Sequence, residues 1–162
     1  MHTRTLGKKA IIVDLRYNNG GNVHNEVLEF LSQKAHYQWA YRDFPSNSHP
    51  NVTPGDIPII ALVNERSLSD AEVTSNGIQT LGLATIVGTE TYRWIIFTSG
   101  TTLLDGSYLR LPAWGCYSLD GKDLESTGVK PDIYVKNTFE DRLKGRDPQL
   151  ERAIEEALKR IK

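Results

Sequence analysis

Sulfur chemistry is almost missing: Cys116 is the one cysteine in 162 residues. That excludes an internal disulfide and any metal site built from paired cysteines. Net charge is almost missing too, since nineteen basic residues face twenty acidic ones and leave −1. Such a balance gives no electrostatic reason to expect nucleic acid or an anionic membrane as partner. No apolar run approaches the roughly 18 residues needed to cross a bilayer. The opening from Met1 to Lys9 has no apolar stretch of signal-peptide length. A soluble, cytoplasmic protein is therefore expected. Neither GxGxxG nor GxxxxGK[ST] occurs, so a nucleotide-phosphate cradle has no sequence support. Histidine is missing after position 49: His2, His24, His36 and His49 all lie in the first third. No solenoid-period repeat or low-complexity segment is present.

What is there supports one packed domain, with 39% hydrophobic and 24% charged residues. The β-branched run Ala10-Ile11-Ile12-Val13-Asp14-Leu15 reads as a strand buried on both faces, ending in the turn Asn18-Asn19-Gly20-Gly21. Helical spacing of Val23, Val27, Leu28, Phe30 and Leu31 predicts a helix over 23–34. Residues 36–56 are polar, aromatic and broken by Pro45, Pro50 and Pro54, which predicts a strand and then a long exposed loop. The pattern then repeats. Ile57 to Val63 predicts a second buried strand, Asn64 to Ser69 a turn, and Asp70 to about Leu81 a helix with acidic residues at its N-terminus. Ala71, Thr74, Ser75, Ile78 and Gly82 give that helix a small face suited to close packing on a sheet. Residues 84–88 predict a third strand, shorter strand-like pieces follow through Trp114, and Val129 to Ile133 is extended around Pro131. Asp147 as cap, Pro148 in the first turn and the stripe Leu150, Ala153, Ile154, Ala157, Leu158, Ile161 predict a final helix. Strands alternating with helices imply an α/β fold, its parallel sheet joined by crossover helices. The functional crevice of such a sheet lies beyond the carboxyl ends of its strands, where both turns fall.

Each turn has a chemical and a plain reading. Gly20 and Gly21 can free backbone N–H groups toward a developing oxyanion, or simply make a tight turn. Ser69 can present its hydroxyl on a strand-to-helix turn, with the Asp70 N–H aimed at the same point. Alternatively, Ser67 or Ser69 only caps the helix. Tyr37, Trp39, Tyr41, Tyr92, Trp94, Trp114 and Tyr117 suit a peptide cleft or a core. Cys116 suits a packed position better than a nucleophile.

Taken in order, four segments carry a family resemblance. Asp14-Leu15-Arg16-Tyr17-Asn18-Asn19-Gly20-Gly21 resembles the strand-turn motif of the C-terminal processing (tail-specific) serine peptidases and the tricorn core protease. Asn64-Glu65 through Ser69-Asp70-Ala71-Glu72, with Gly88-Thr89-Glu90-Thr91, is similar to the tricorn nucleophile segment. Leu124 through Ile133 and Gly145 through Leu150 resemble the remaining signatures, so the resemblance covers roughly residues 8 to 160. It implies a Clp-protease/crotonase-like core and a serine peptidase acting on peptides or unfolded chains through an acyl-enzyme. It implies Ser69 as nucleophile, Asp70 with Gly20 or Gly21 as oxyanion hole, and Glu125 as the acid supporting a catalytic histidine. No cofactor or metal is implied, and the intact protein is expected to form a homo-oligomer. Where the tail-specific branch has a catalytic lysine, this chain has Arg93-Trp94, and arginine does not deprotonate in proteins. The histidine version is thus expected. His24, three residues past the glycine turn, either approaches the crevice as a base or, as expected, lies on a helix surface, and His2, His36 and His49 match no family position. Residues 1–162 are read as a single catalytic subdomain, with the PDZ-like and histidine-bearing segments of the family lying upstream and absent. Competing readings are a non-enzymatic peptide-binding or assembly domain and a crotonase-like acyl-CoA enzyme.

Overall fold

Five consecutive apolar residues, Ile59 to Val63, form the strand around which the molecule is built. The computed structural model describes residues 7–161. In it β1 (Ile11–Asp14), β4 (Ile59–Val63), β5 (Thr85–Gly88) and β8 (Ile133–Tyr134) make one sheet in the order β1-β4-β5-β8. Every pair is parallel, with Ile12 opposite Ile60, Ala61 opposite Ile86 and Gly88 opposite Tyr134. This is the expected α/β arrangement. His2 lies outside the described residues.

All five β4 residues are buried, and their alternation splits the core in two. Ile59, Ala61 and Val63 join Leu31, Ala71, Ile78 and Ile86 on the face covered by α1 (His24–Ser32) and α2 (Asp70–Thr80). Ile60 and Leu62 join Val87, Ala153 and Ala157 on the face covered by α4 (Pro148–Arg160). The small α2 face does permit close packing, since Ala71, Thr74, Ser75 and Ile78 are all buried. At Gly77 a Cβ would fall 2.4 Å from Leu28 Cδ1, so α1 and α2 touch through a position that has no side chain.

The final helix begins as its sequence says. Asp147 caps it, accepting the Leu150 N–H at 3.0 Å, and Pro148 is the first helical residue. Other expectations need correction. Residues 36–56 begin with the expected strand, β2 (Tyr37–Trp39), but the expected loop holds its antiparallel partner β3 (Asn47–His49) and a turn of 3₁₀ helix at Pro54–Asp56. Asn-Ser-His has no β-branched residue, so β3 carries no local signal. The strand-like pieces expected through Trp114 are present and pair as a second hairpin, β6 (Phe97–Thr102) and β7 (Tyr108–Trp114). A short α3 (Phe139–Leu143), capped by Thr138, was not anticipated. Of residues 129–133 only Ile133 enters the sheet.

Candidate active site

The chain leaves β1 and β4 on adjacent parallel strands, so the turns that follow them emerge side by side. Three hydrogen bonds lock them together. The Ser67 hydroxyl donates to the Leu15 carbonyl at 2.9 Å, the Leu68 N–H to the Asn18 carbonyl at 2.9 Å, and the Tyr17 N–H to Asn64 Oδ1 at 3.2 Å. Ser67 and Asn64 are buried. Ser67 is therefore a pin between turns rather than a helix cap.

Ser69 stands at the N-cap of α2 with φ 52° and ψ −114°. A non-glycine residue at positive φ is strained, and such strain persists only where its surroundings impose it. Here Glu72 imposes it. Its fully buried carboxylate accepts four donors: Oε2 takes the Ser69 N–H at 3.0 Å and the Trp94 N–H at 2.9 Å. Oε1 takes the Thr91 hydroxyl at 2.7 Å and the Arg93 N–H at 2.8 Å. The first-turn N–H of Glu72 itself goes to the Ser69 carbonyl at 2.8 Å.

Against this serine lies the glycine turn. A Cβ on Gly20 would sit 2.9 Å from Ser69 Cβ and 3.2 Å from its Oγ, and Gly20 has φ 108°. Glycine is thus required there twice over, by backbone angle and by space. The Gly20 N–H is taken by Asn18 Oδ1 at 2.8 Å. Among the described residues, the N–H groups of Gly21 and Asp70 have no such partner. The sequence alone left Gly20 and Gly21 equivalent, and this hydrogen bond separates them.

Asp70 and His24 are brought together. Asp70 is buried, its Oδ2 accepting the Val23 N–H at 2.8 Å and its Oδ1 lying 2.5 Å from His24 Nδ1. The expected surface histidine instead braces the start of α1 against the residue after Ser69. His36 and His49 are packed within the β2–β3 hairpin, with Tyr37 stacked on His49 at a centroid distance of 4.7 Å. Arg16 holds the other end of the glycine turn. Its guanidinium forks onto Asp14 at 2.9 and 2.7 Å and reaches Asp147 Oδ1 at 2.7 Å. That hydrogen bond from Arg16 pulls the Asp147 carboxyl down to about 2.

Two clefts open at Ser69. One, of about 320 Å³, is walled by Trp94, Ile96, Leu111 and Pro112, and the other, of about 240 Å³, by Gly21, Asp70, Phe97 and Thr98. Glu125 is exposed on a separate turn, where its N–H bonds Asp123 Oδ1 at 2.9 Å. Trp39, Tyr41, Tyr92, Trp94, Trp114 and Tyr117 are exposed rather than in the core. Burial, with the charge of Asp123, pushes the Cys116 thiol up, which keeps it protonated and unreactive. Glu72 escaped sequence reasoning as anything but a helix-dipole residue. The Ser-x-x-Glu spacing of a capping box was the available signal. Nothing in the sequence singled out Arg110, which borders both clefts.

Comparison with known proteins follows the same lines. The sequence model of peptidase family S41 matches residues 2–135. Tricorn protease homolog 1 of Streptomyces coelicolor is 33% identical over 159 residues, covering 94% of this chain and 14% of that protein. Tricorn protease of Thermoplasma acidophilum is 31% identical over 157 residues, covering 95% and 14%. A crystal structure of tricorn protease superposes with a TM-score of 0.85 at 31% identity, over 94% of this chain and 15% of that one. The chain spans about one seventh of the length of these relatives.

Proposed function

The chain belongs to peptidase family S41, and from that premise we propose that Ser69 is the nucleophile of a serine peptidase acting on peptides or unfolded chains. The observation that carries this is the packing of Gly20 against the strained Ser69, with the N–H groups of Gly21 and Asp70, on the two turns that meet there, unpartnered among the described residues.

Ser69 Oγ adds to the scissile carbonyl carbon while its proton passes to a base. The carbonyl oxygen, now an oxyanion, takes the N–H groups of Asp70 and Gly21. Asp70 stands at the N-terminus of α2, where the helix dipole adds to this stabilisation. Collapse expels the amine, which takes the proton, and leaves an acyl-enzyme on Ser69. Water then attacks the ester and restores the hydroxyl.

The base in this reading is a histidine on a segment N-terminal to these residues, as the resemblance to the tricorn branch implies. Glu125 orients it, and residues 1–162 act as one catalytic subdomain. A cytoplasmic location and a homo-oligomeric whole protein complete the proposal. The peptidase match gives no support to the acyl-CoA or non-enzymatic alternatives.

Cleavage of an unfolded protein by the whole protein is the test. Ser69→Ala is expected to lower turnover at least about 10³-fold, as loss of a triad nucleophile does. Undiminished cleavage by that variant sinks the assignment.

A further inference from the structure

We propose that Arg110 selects a carboxylate on the substrate beside the scissile bond, supplied either by an acidic side chain or by the peptide's own C-terminus. This rests on the reading of Ser69 as nucleophile.

Arg110 lies on β7 and borders both clefts that open at Ser69. It is the one charged residue lining the larger of them. The smaller also contains Asp70, whose two carboxylate oxygens are already engaged by Val23 and His24. Within these two clefts Arg110 is therefore the one charge not already engaged, and it is positive.

The guanidinium is also oriented and unspent. Nε donates to Thr98 Oγ1 at 2.7 Å, on the neighbouring strand β6, which fixes the plane of the group. The terminal nitrogens have no partner among the described residues, and no carboxylate lies within ion-pair distance. Arg16, Arg93, Arg146, Arg152 and Arg160 are each paired with an acid, whereas Arg42, Arg66 and Arg142 are as unpaired as Arg110 among the described residues but border neither cleft. With Nε engaged, the end-on edge formed by the two terminal nitrogens is left to take a carboxylate in bidentate geometry. Arg110 and its neighbours Trp94, Leu111 and Pro112 are exposed, so the contact forms at the solvent-facing rim of the cleft and is weakened by salt. Nothing comparable in either cleft recommends a lysine-bearing substrate.

Binding separates this from turnover. The full chain carrying Ser69→Ala is titrated with fluorescent peptides by anisotropy, in matched sets. One set has an internal Asp or its Asn counterpart with an amidated end. Another has neutral side chains with a free or amidated C-terminus. Carboxylate-bearing peptides are expected to bind about tenfold more tightly than their neutral partners, with the gap shrinking at high salt. The set that shows the gap identifies the source of the carboxylate. Arg110→Gln is expected to reduce it below about twofold, and Arg110→Lys, which keeps charge and loses the fork, to leave an intermediate value. Equal affinities throughout, or a gap that survives Arg110→Gln, overturn the proposal. A small fluorophosphonate without a carboxylate tests Ser69 separately. Labelled Ser69 with equal peptide affinities overturns the role of Arg110 alone. Absent labelling in the whole protein overturns the nucleophile and leaves the peptide titrations to decide on Arg110.

Discussion

Glu72 carries more of the site's geometry than any side chain that faces the cleft. A buried carboxylate accepting four donors satisfies them without a cation, and two of the donors belong to Ser69 itself and to Trp94 of the cleft wall. Replacing one oxygen by an amide sets an NH₂ against two of those donors. Glu72→Gln is therefore expected to cost about 2–3 kcal/mol, read as a lower urea midpoint, and to slow fluorophosphonate labelling of Ser69. An unchanged midpoint contradicts this role. Gly20 gives a second test. Gly20→Ala forces a Cβ at φ 108° to within 2.9 Å of Ser69 Cβ, so a loss on the order of 2 kcal/mol is expected. Thermal unfolding measures it. At this scale the sequence was legible wherever a residue type is obligatory. Gly20, Ser69 and Asp70 were named from their turns, but the bond that occupies the Gly20 N–H depends on the rotamer of Asn18. His24 was misread because its partner is 46 residues away, beyond any local pattern.

Elements follow from sequence in proportion to how local their causes are. The final helix was legible in full because Asp147, Pro148 and the apolar stripe are all local. Parallel strands β1, β4 and β5 were legible as apolar runs, but β1, expected to be buried on both faces, is the half-buried edge strand of the sheet. The hairpins were legible only as strand pieces, because their strands are exposed and their pairing depends on residues across the turn. Asp147 links these elements, since it caps α4 and also receives Arg16 from the end of β1. Its folded carboxyl titrates at about 2, against an ordinary 3.8. The unfolded chain thus takes up the proton first. The stabilisation is complete above about pH 4 and is lost as pH falls toward 2. Because the side chain is about one-third exposed, screening reduces the effect to about 1 kcal/mol. Urea midpoints between pH 5 and pH 2 are expected to fall less steeply in Asp147→Asn than in the parent chain. Identical slopes contradict the Arg16–Asp147 link.

Across the whole molecule, one arrangement explains why distant turns meet. β1 and β4 are parallel neighbours, so their carboxyl ends share one edge and place Gly20 against Ser69 although 49 positions separate them. That juxtaposition was foreseeable from the alternation of strands and helices. The clefts beside it were not, because their outer wall is the β6–β7 hairpin, whose position over Ser69 has no local sequence signal. Among the described residues no helix is long and apolar enough to cross a membrane. The chain covers about one seventh of the length of these relatives, and the decisive experiment is done on the whole protein. The whole protein is treated with a fluorophosphonate and the adduct is located by peptide mass spectrometry. An adduct on Ser69 that disappears in Ser69→Ala is predicted. An adduct at another residue, persisting in Ser69→Ala, contradicts the account.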